Sequence, residues 1–253
     1  MSVTLLDYLP GIGMIAIGIG AIIIWFLLKG KKPMYFGYYI LGAILWAIAI
    51  IPKYAMDYTI TAPFERILLS SLPIAAVAII VALYFGLRTG FFESGFTYLI
   101  LKYSGLTKNM GFNEAVALGI GFGGIEAIYV YYLWIQGLGP LLTSPTDPMS
   151  YIGVWERLFT LFCHVFAVVL VVYAIKLKDR RWLWLSIAYK SVLDGSLILF
   201  LYFLGNVVTT TYIIESFVAI LGIIGLIGLY RIDKSYGGGV PDAPKAGNPN
   251  IGD

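Results

Sequence analysis

The chain is poor in charged residues, in histidine and in cysteine. Only 12% of its 253 residues are Asp, Glu, Lys or Arg, about half of the roughly 25% usual for a soluble domain. We therefore do not expect a water-soluble globular fold. The one cysteine, Cys163, excludes an intrachain disulfide and a metal cluster built on cysteines. The formal net charge of +3 gives no reason to expect a nucleic-acid partner.

Apolar residues, in contrast, make up 60% of the chain, and the mean hydropathy is +0.87. They form blocks of about 20 residues, each long enough to cross a hydrocarbon core of about 30 Å as a helix. The short alternating segments of a membrane barrel are missing. The sequence therefore predicts an all-α, polytopic membrane helix bundle with spans at approximately 9–28, 35–51, 67–86, 112–136, 152–176, 182–204 and 211–230.

Two parts of the chain fall outside these seven spans. Residues 91–103 form an apolar segment of about 13 residues, too short to cross a bilayer alone. It is interpreted as an interfacial or re-entrant helix, or as a continuation of the third span. Residues 1–235 form the transmembrane domain in this prediction, and residues 236–253, rich in Gly, Pro and Asn, form a disordered cytoplasmic tail.

Lysine and arginine predict the orientation, because positive residues near the ends of spans resist translocation. If the amino terminus is outside the cell, three basic residues lie on the outer face, namely Lys53, Arg66 and Arg157. Twelve lie on the inner face: Lys29, Lys31, Lys32, Arg88, Lys102, Lys108, Lys176, Lys178, Arg180, Arg181, Arg231 and Lys234. The sequence therefore predicts a multi-pass protein of the cell membrane with its amino terminus outside and its carboxyl terminus in the cytoplasm.

Five ionisable residues stand out inside the predicted spans, where each costs about 2.5 to 3.5 kcal/mol on insertion scales. They are Glu126, His164, Lys190, Asp194 and Glu215. Glu126, His164 and Asp194 are all near the middle of their helices. Lys190 is four residues before Asp194, so the two share a helix face and can form an ion pair. We expect Glu126, His164, Lys190 and Asp194 to converge on one buried polar centre.

The segment before Glu126 is rich in glycine, from Gly119 to Gly124. Glycines leave one surface of a helix almost without side chains. Two interpretations remain open: the glycines allow a neighbouring helix to pack closely, or they allow an extended substrate to approach the backbone.

Residues 119–128, GIGFGGIEAI, resemble the G-x-G-H-G-G-x-E-A motif of the YhfC family of intramembrane metalloproteases. These proteins are distant relatives of the glutamate-type, CAAX-processing membrane proteases. Three other segments are similar to family motifs in the same order. Residues 92–99 are similar to F-E-E-x-x-R-Y-L, residues 156–165 to an E-R segment with a later histidine, and residues 188–195 to H-x-x-x-D. The resemblance covers roughly residues 65 to 200.

The chain departs from these motifs at four positions. Phe122 and Lys190 stand where the family has histidine, and Ser94 and Thr97 stand where it has a second glutamate and an arginine. In the glutamate proteases, the resemblance implies, an acid activates water while histidines position the water or bind a metal. The candidate catalytic residues that remain are Glu93, Glu126 and His164, with support from Glu156, Arg157 and Asp194.

One histidine is too few for an ordinary zinc enzyme, because zinc takes about four ligands, or three and a water, and imidazole is its usual nitrogen donor. Phe122 cannot bind a metal, and Lys190 brings a positive charge to a ligand position. We therefore expect no metal and no other cofactor, with zinc only if the chain is an active protease. The Lys190 ammonium is expected to neutralise Glu126 and Asp194 instead.

Three functions follow from these residues. The first is a pseudoprotease that binds or scaffolds a transmembrane helix or another membrane subunit within the lipid bilayer. The second is an active glutamate-type intramembrane protease with a rebuilt site; in a variant of it, Lys190 activates Ser186. The third is an ion- or proton-coupled transport subunit, because buried charges on neighbouring helices also form ion paths.

Overall fold

The computed structural model describes residues 4–137, 146–205 and 207–236. Within these ranges the chain is helical and has no strand, and seven segments are long and apolar enough to span a membrane. The predicted multi-pass helix bundle is confirmed. Its α-helices are α1 (Leu9–Leu28), α2 (Met34–Met56), α3 (Ala62–Ser71), α4 (Ile74–Thr89), α5 (Phe96–Ser104), α6 (Phe112–Gln136), α7 (Ile152–Lys176), α8 (Arg180–Leu204) and α9 (Val208–Tyr236).

The second and third spans are longer than the sequence predicts. A π-helical turn, Asp57–Thr61, joins α2 to α3, so the second span runs on to Ser71. The chain then breaks at Leu72, whose backbone is extended, as is favoured for a residue that precedes a proline. The predicted start of the third span at residue 67 is therefore wrong, because the span begins after Pro73.

A second π-helical turn, Gly90–Gly95, joins α4 to α5. The short segment 91–103 is therefore neither an interfacial nor a re-entrant helix. It continues the third span, which runs from Ile74 to Ser104. Arg88, assigned to the inner face from the sequence, consequently lies within the span, where it is buried and pairs with Asp57.

Helices α6 and α7 form the centre of the bundle. α6 packs against α1, α2 and α7, while α7 also packs against α8 and α9. In the span that contains α7, 78% of the apolar window is buried inside the protein, the largest share of the seven spans. α4 lies on the outside of α8 and carries the Gly90–Gly95 turn toward the centre. Polar side chains on α6 and α7 are therefore shielded from lipid by the other helices.

The glycine run of α6 is covered by neighbouring helices. A Cβ atom at Gly121 would overlap the carbonyl oxygen of Tyr39 on α2, and one at Gly119 would meet the backbone of Val165 on α7. Gly124 faces Gly18 on α1. These contacts favour the helix-packing interpretation, because the neighbouring backbones occupy the space that an extended substrate would need.

The predicted cytoplasmic tail lies almost entirely outside the described residues. α9 ends at Tyr236, and residues 237–253 are not described.

Candidate functional site

Glu93 occupies the centre of a buried cluster of charges. The π-helical turn between α4 and α5 directs its side chain inward, and the residue is 5% exposed. Lys53 of α2 places its Nζ 2.8 Å from Oε1, and Lys190 of α8 places its Nζ 2.7 Å from Oε2. π-helical turns are frequent at functional sites because the extra residue redirects the side chains of a helix. Here two ammonium groups from two other helices hold the redirected carboxylate.

His164 on α7 lies between the two acids of the cluster. Its Nε2 is 2.8 Å from Oε2 of Glu126, and its Nδ1 is 3.0 Å from Nζ of Lys190. The nearer oxygen of Glu93, Oε2, is 3.8 Å from Nδ1. An ammonium can only donate hydrogen bonds, so Nδ1 accepts from Lys190. The imidazole is therefore assigned as the neutral tautomer that carries its proton on Nε2 and donates to Glu126.

Glu126 on α6 receives three donors. In addition to His164, the indole Nε1 of Trp46 donates to Oε2 at 2.8 Å, and the guanidinium of Arg157 donates to Oε1 at 2.8 Å. Arg157 also pairs with Glu156, its neighbour at the start of α7. The carboxylate of Glu126 is thus bonded on both oxygens, which is the condition for burying a charge at low cost.

Asp194 belongs to the edge of the cluster. It accepts a hydrogen bond from Thr89 and lies 4.0 Å from Nζ of Lys53, and a third of its side chain is exposed. Among the described residues no ion pair joins Lys190 to Asp194, although the two share a face of α8. The pairing expected for Lys190 is therefore different in the structure: its ammonium lies between Glu93 and His164.

Two residues of the site were missed in the sequence, Lys53 and Trp46, both on α2. From the sequence, Lys53 belongs with the outer-face charges, because the predicted apolar block ends at residue 51. The helix continues to Met56, and Lys53 is 8% exposed. The signal that could have revealed it is the continuation of apolar residues, Ala55 and Met56, beyond the lysine.

Ser186 does not form the predicted pair with Lys190. Its hydroxyl bonds the hydroxyl of Ser94 at 2.8 Å and the carbonyl oxygen of Ala167 at 2.9 Å, and Lys190 is not among the hydrogen-bond partners of this described residue. Ser186 is fully buried. Its contacts are those of a serine that joins helices, and the nucleophilic role considered from the sequence has no geometric support.

The four departures from the family motifs meet in space. Ser94, Thr97, Phe122 and Lys190 line one small cavity of about 10 Å³, together with Glu93 and His164. The ring of Phe122 lies 5.2 Å from the imidazole of His164, measured between ring centroids, and Phe122 is 1% exposed. Positions far apart in the sequence thus form one side of the same polar centre.

A larger cavity of about 400 Å³ lies on the other side of this centre. The charged cluster lines its inner end, and the aromatic residues Trp46, Tyr54 and Tyr129 line one wall. Leu133 on α6 and Leu201 on α8 stand at its outer part and are 44% and 41% exposed. The cavity therefore leads from the buried charges to the apolar surface of the bundle.

A family model described as YhfC intramembrane metalloprotease matches residues 13–137 and 138–218 of the chain. The chain belongs to this family. The membership confirms the resemblance that was based on four short motifs, and it extends that resemblance over most of the helical domain. No curated protein and no solved structure matches the chain significantly.

The description of the YhfC family implies a metal, but the residues of this chain do not fit one. The available donors are Glu93, Glu126 and His164, and within the described ranges no three His, Cys, Asp or Glu residues form a group suited to a metal ion. The ammonium of Lys190 lies 2.7 Å from Glu93 and 3.0 Å from His164, in the position where those donors would meet a cation. A metal ion bound to Glu93 and His164 would lie next to this ammonium, and two neighbouring positive charges repel strongly in a medium of low dielectric.

Proposed function

We propose that this member of the YhfC family is a pseudoprotease, a non-catalytic relative that serves as a binding or scaffolding subunit in the membrane. The observation that supports the proposal is the position of the Lys190 ammonium, in contact with both Glu93 and His164. A fixed positive charge there neutralises the acids. A metal or a second histidine would otherwise have that role. Neither a metal nor another cofactor is part of the proposal.

The bonding of the two acids also supports it. An acid that activates water needs a carboxylate oxygen within hydrogen-bond reach of that water. In Glu93 the two oxygens face Lys53 and Lys190. In Glu126 they face Arg157 on one side and His164 with Trp46 on the other. Three of the four oxygens have a hydrogen-bond donor within reach, and the fourth, Oε2 of Glu93, has no hydrogen-bond partner but forms an ion pair with Lys190 at 2.7 Å. Proton abstraction from water would therefore first require an ion pair or a hydrogen bond to break.

The cavity of about 400 Å³ suits a binding role. It combines an apolar wall with a charged inner end, and it leads toward the lipid-facing surface. A transmembrane helix of another membrane protein fits this chemistry, because one of its side chains can enter the cavity while its remaining surface packs against α6 and α8. The proposed partner is therefore a transmembrane segment within the bilayer.

The test combines metal analysis with a cleavage assay. Protein purified from zinc-supplemented cells should contain no stoichiometric metal, and Glu126→Gln and His164→Ala variants should behave as the parent does toward transmembrane peptides in liposomes. The combined variant Ser94→Glu, Thr97→Arg, Phe122→His, Lys190→His restores the family motifs and should gain zinc. One zinc per parent chain, or a cleavage that Glu126→Gln abolishes, would show that the chain is an active protease instead.

The connected charges favour transport as a second candidate function. From Asp194 through Lys53, Glu93, Lys190, His164 and Glu126 to Arg157, each charged or imidazole group is within 4.0 Å of the next. Such a series can conduct protons. Proteoliposomes with an internal pH dye distinguish the two: a proton flux that Glu93→Gln lowers at least tenfold supports transport, and the absence of flux supports the pseudoprotease.

We also propose that the amino terminus lies outside the cell and the carboxyl terminus in the cytoplasm. The structure changes the count of charges on which this rests. Lys53 and Arg157 are buried in the polar cluster, and Arg88 lies within a span. These three residues are therefore left out of the count of basic residues on the two faces of the membrane. Eleven basic residues remain on the proposed inner face and one, Arg66, on the outer face. The excess of basic residues on the inner face is therefore larger in proportion than the sequence alone suggests.

A further inference from the structure

A groove runs between α1 and α9 on the side of the bundle away from the charged cluster. Both helices pack against α7 but have little contact with each other, which leaves a cavity of about 420 Å³ between them. Gly20 and Ile24 form one wall, Leu226 and Leu229 the opposite wall, and Leu161 of α7 lies at the floor. The lining side chains are apolar apart from the indole N–H of Trp25, so the occupant of this groove must be apolar as well.

One end of the groove is polar and positively charged. Trp25 lines that end, and its Nε1 donates to the carbonyl oxygen of Asn113 at 3.3 Å, which fixes the ring. The ammonium of Lys29 lies 4.9 Å from the centre of the same ring. A cation is thereby held at the point where the apolar groove meets the membrane surface.

Further basic residues follow Lys29 closely in the chain. Gly30, with φ of +87°, ends α1, and the amide of Lys31 donates back to the carbonyl oxygen of Phe26 at 3.0 Å, so the basic run stays against the helix end. α1 and α9 are the first and seventh spans and run in the same direction, so their carboxyl ends share one face. On α9, Arg231 lies on the helix face opposite Leu226 and Leu229. The positive charge at this end therefore comes from residues 29–32, which contain three lysines and no acid.

The dimensions of the groove correspond to one leaflet of a bilayer. On α1 its lining extends from Ala16 to Trp25, a rise of about 14 Å at about 1.5 Å per residue. Half of a hydrocarbon core of about 30 Å has nearly the same thickness. A transmembrane helix would extend over the full thickness, about twice the length of the groove.

We infer that the groove between α1 and α9 binds an anionic phospholipid. One acyl chain lies between Ile24 and Leu226, and the phosphate lies among Lys29, Lys31 and Lys32. The attraction of the phosphate to several basic residues selects an anionic headgroup, and the apolar walls bind the chain. This site is separate from the charged cluster, so the inference holds whether or not the chain is a pseudoprotease.

Native mass spectrometry of the purified full-length protein tests the headgroup. Phosphatidylglycerol is compared with phosphatidylcholine of the same acyl chains. The parent should retain phosphatidylglycerol about 100-fold more strongly, and Lys29→Gln, Lys31→Gln, Lys32→Gln should lose about fivefold in that preference for each charge removed. A control with three basic residues changed elsewhere, Lys102→Gln, Lys178→Gln, Arg180→Gln, should keep it. If the first triple variant keeps the preference, the proposal is wrong.

A second variant tests the groove itself. A Cβ at Gly20 would meet no atom within 4 Å, so Gly20→Leu can fill the groove without a backbone clash. It should lose both lipids, whereas the matched control Gly37→Leu, at another open glycine on α2, should retain them. Retention of phosphatidylglycerol by Gly20→Leu would overturn the inference, as would a parent dimer that Gly20→Leu converts to monomers, because the occupant would then be a second copy of the chain.

Discussion

Lys190 illustrates how one buried charge is made tolerable in a membrane protein. Lys190 is 2% exposed, and its ammonium has Glu93 and His164 as partners. Removing one member of a buried ion pair leaves the other without compensation, which costs about 3 to 5 kcal/mol. Glu93 keeps a second partner in Lys53, so the lower part of that range applies.

We therefore predict that Lys190→Met lowers the free energy of unfolding by about 3 kcal/mol. Tryptophan fluorescence during titration with sodium dodecyl sulfate in mixed micelles measures it. Lys102→Met, at the end of α5, is the control and should change the free energy by less than about 0.5 kcal/mol, as is usual for surface substitutions. Equal effects of the two variants would show that the Lys190 contacts contribute nothing to stability.

At the scale of helices, close packing of α2 on α6 holds Trp46 and Lys53 next to Glu126 and Glu93. The contact depends on glycine at both surfaces: a Cβ at Gly42 would overlap the carbonyl oxygen of Leu118, and one at Gly121 that of Tyr39. In membranes such small residues allow backbones to approach, and dispersion contacts then hold the helices together. The polar site therefore depends on a glycine interface that lies beside it.

Gly121→Ala should separate α2 from α6 and lower the free energy of unfolding by about 1 to 3 kcal/mol, the usual cost of overpacking. The same titration in mixed micelles measures the change. Gly37→Ala on α2 is the matched control: a Cβ there meets open space, so alanine should be neutral or should stabilise the helix by up to about 1 kcal/mol. A Gly121→Ala protein as stable as the parent would contradict the packing interpretation.

At the scale of the whole molecule, the odd number of spans in the part of the chain that the structure describes, seven, predicts that residues 4 and 235 lie on opposite faces of the membrane. The orientation can be measured because Cys163 is fully buried and should not react. With a maleimide that does not cross membranes, Thr4→Cys in intact cells should be labelled, and Ser235→Cys should be labelled only after permeabilisation. The parent is the control for background. The reverse pattern would show that the proposed orientation is inverted.

The sequence by itself determined the membrane class and the number of spans, because hydropathy is a local property summed over about 20 residues. It also identified Glu126 and His164, since ionisable residues stand out in apolar segments. Helix ends were less predictable. Proline at residue 73 and the two π-helical turns, rather than hydropathy, set the limits of the second and third spans.

Only the tertiary structure decided which charges are partners. The spacing of Lys190 and Asp194 permits an ion pair on one helix face, yet Lys190 pairs with Glu93 from another span, 97 positions earlier in the chain. Lys53 joins the same acid although the sequence placed it outside the membrane. A buried charge takes the partner that helix packing brings within reach, and that packing depends on contacts such as Gly121 on Tyr39, which no local pattern encodes.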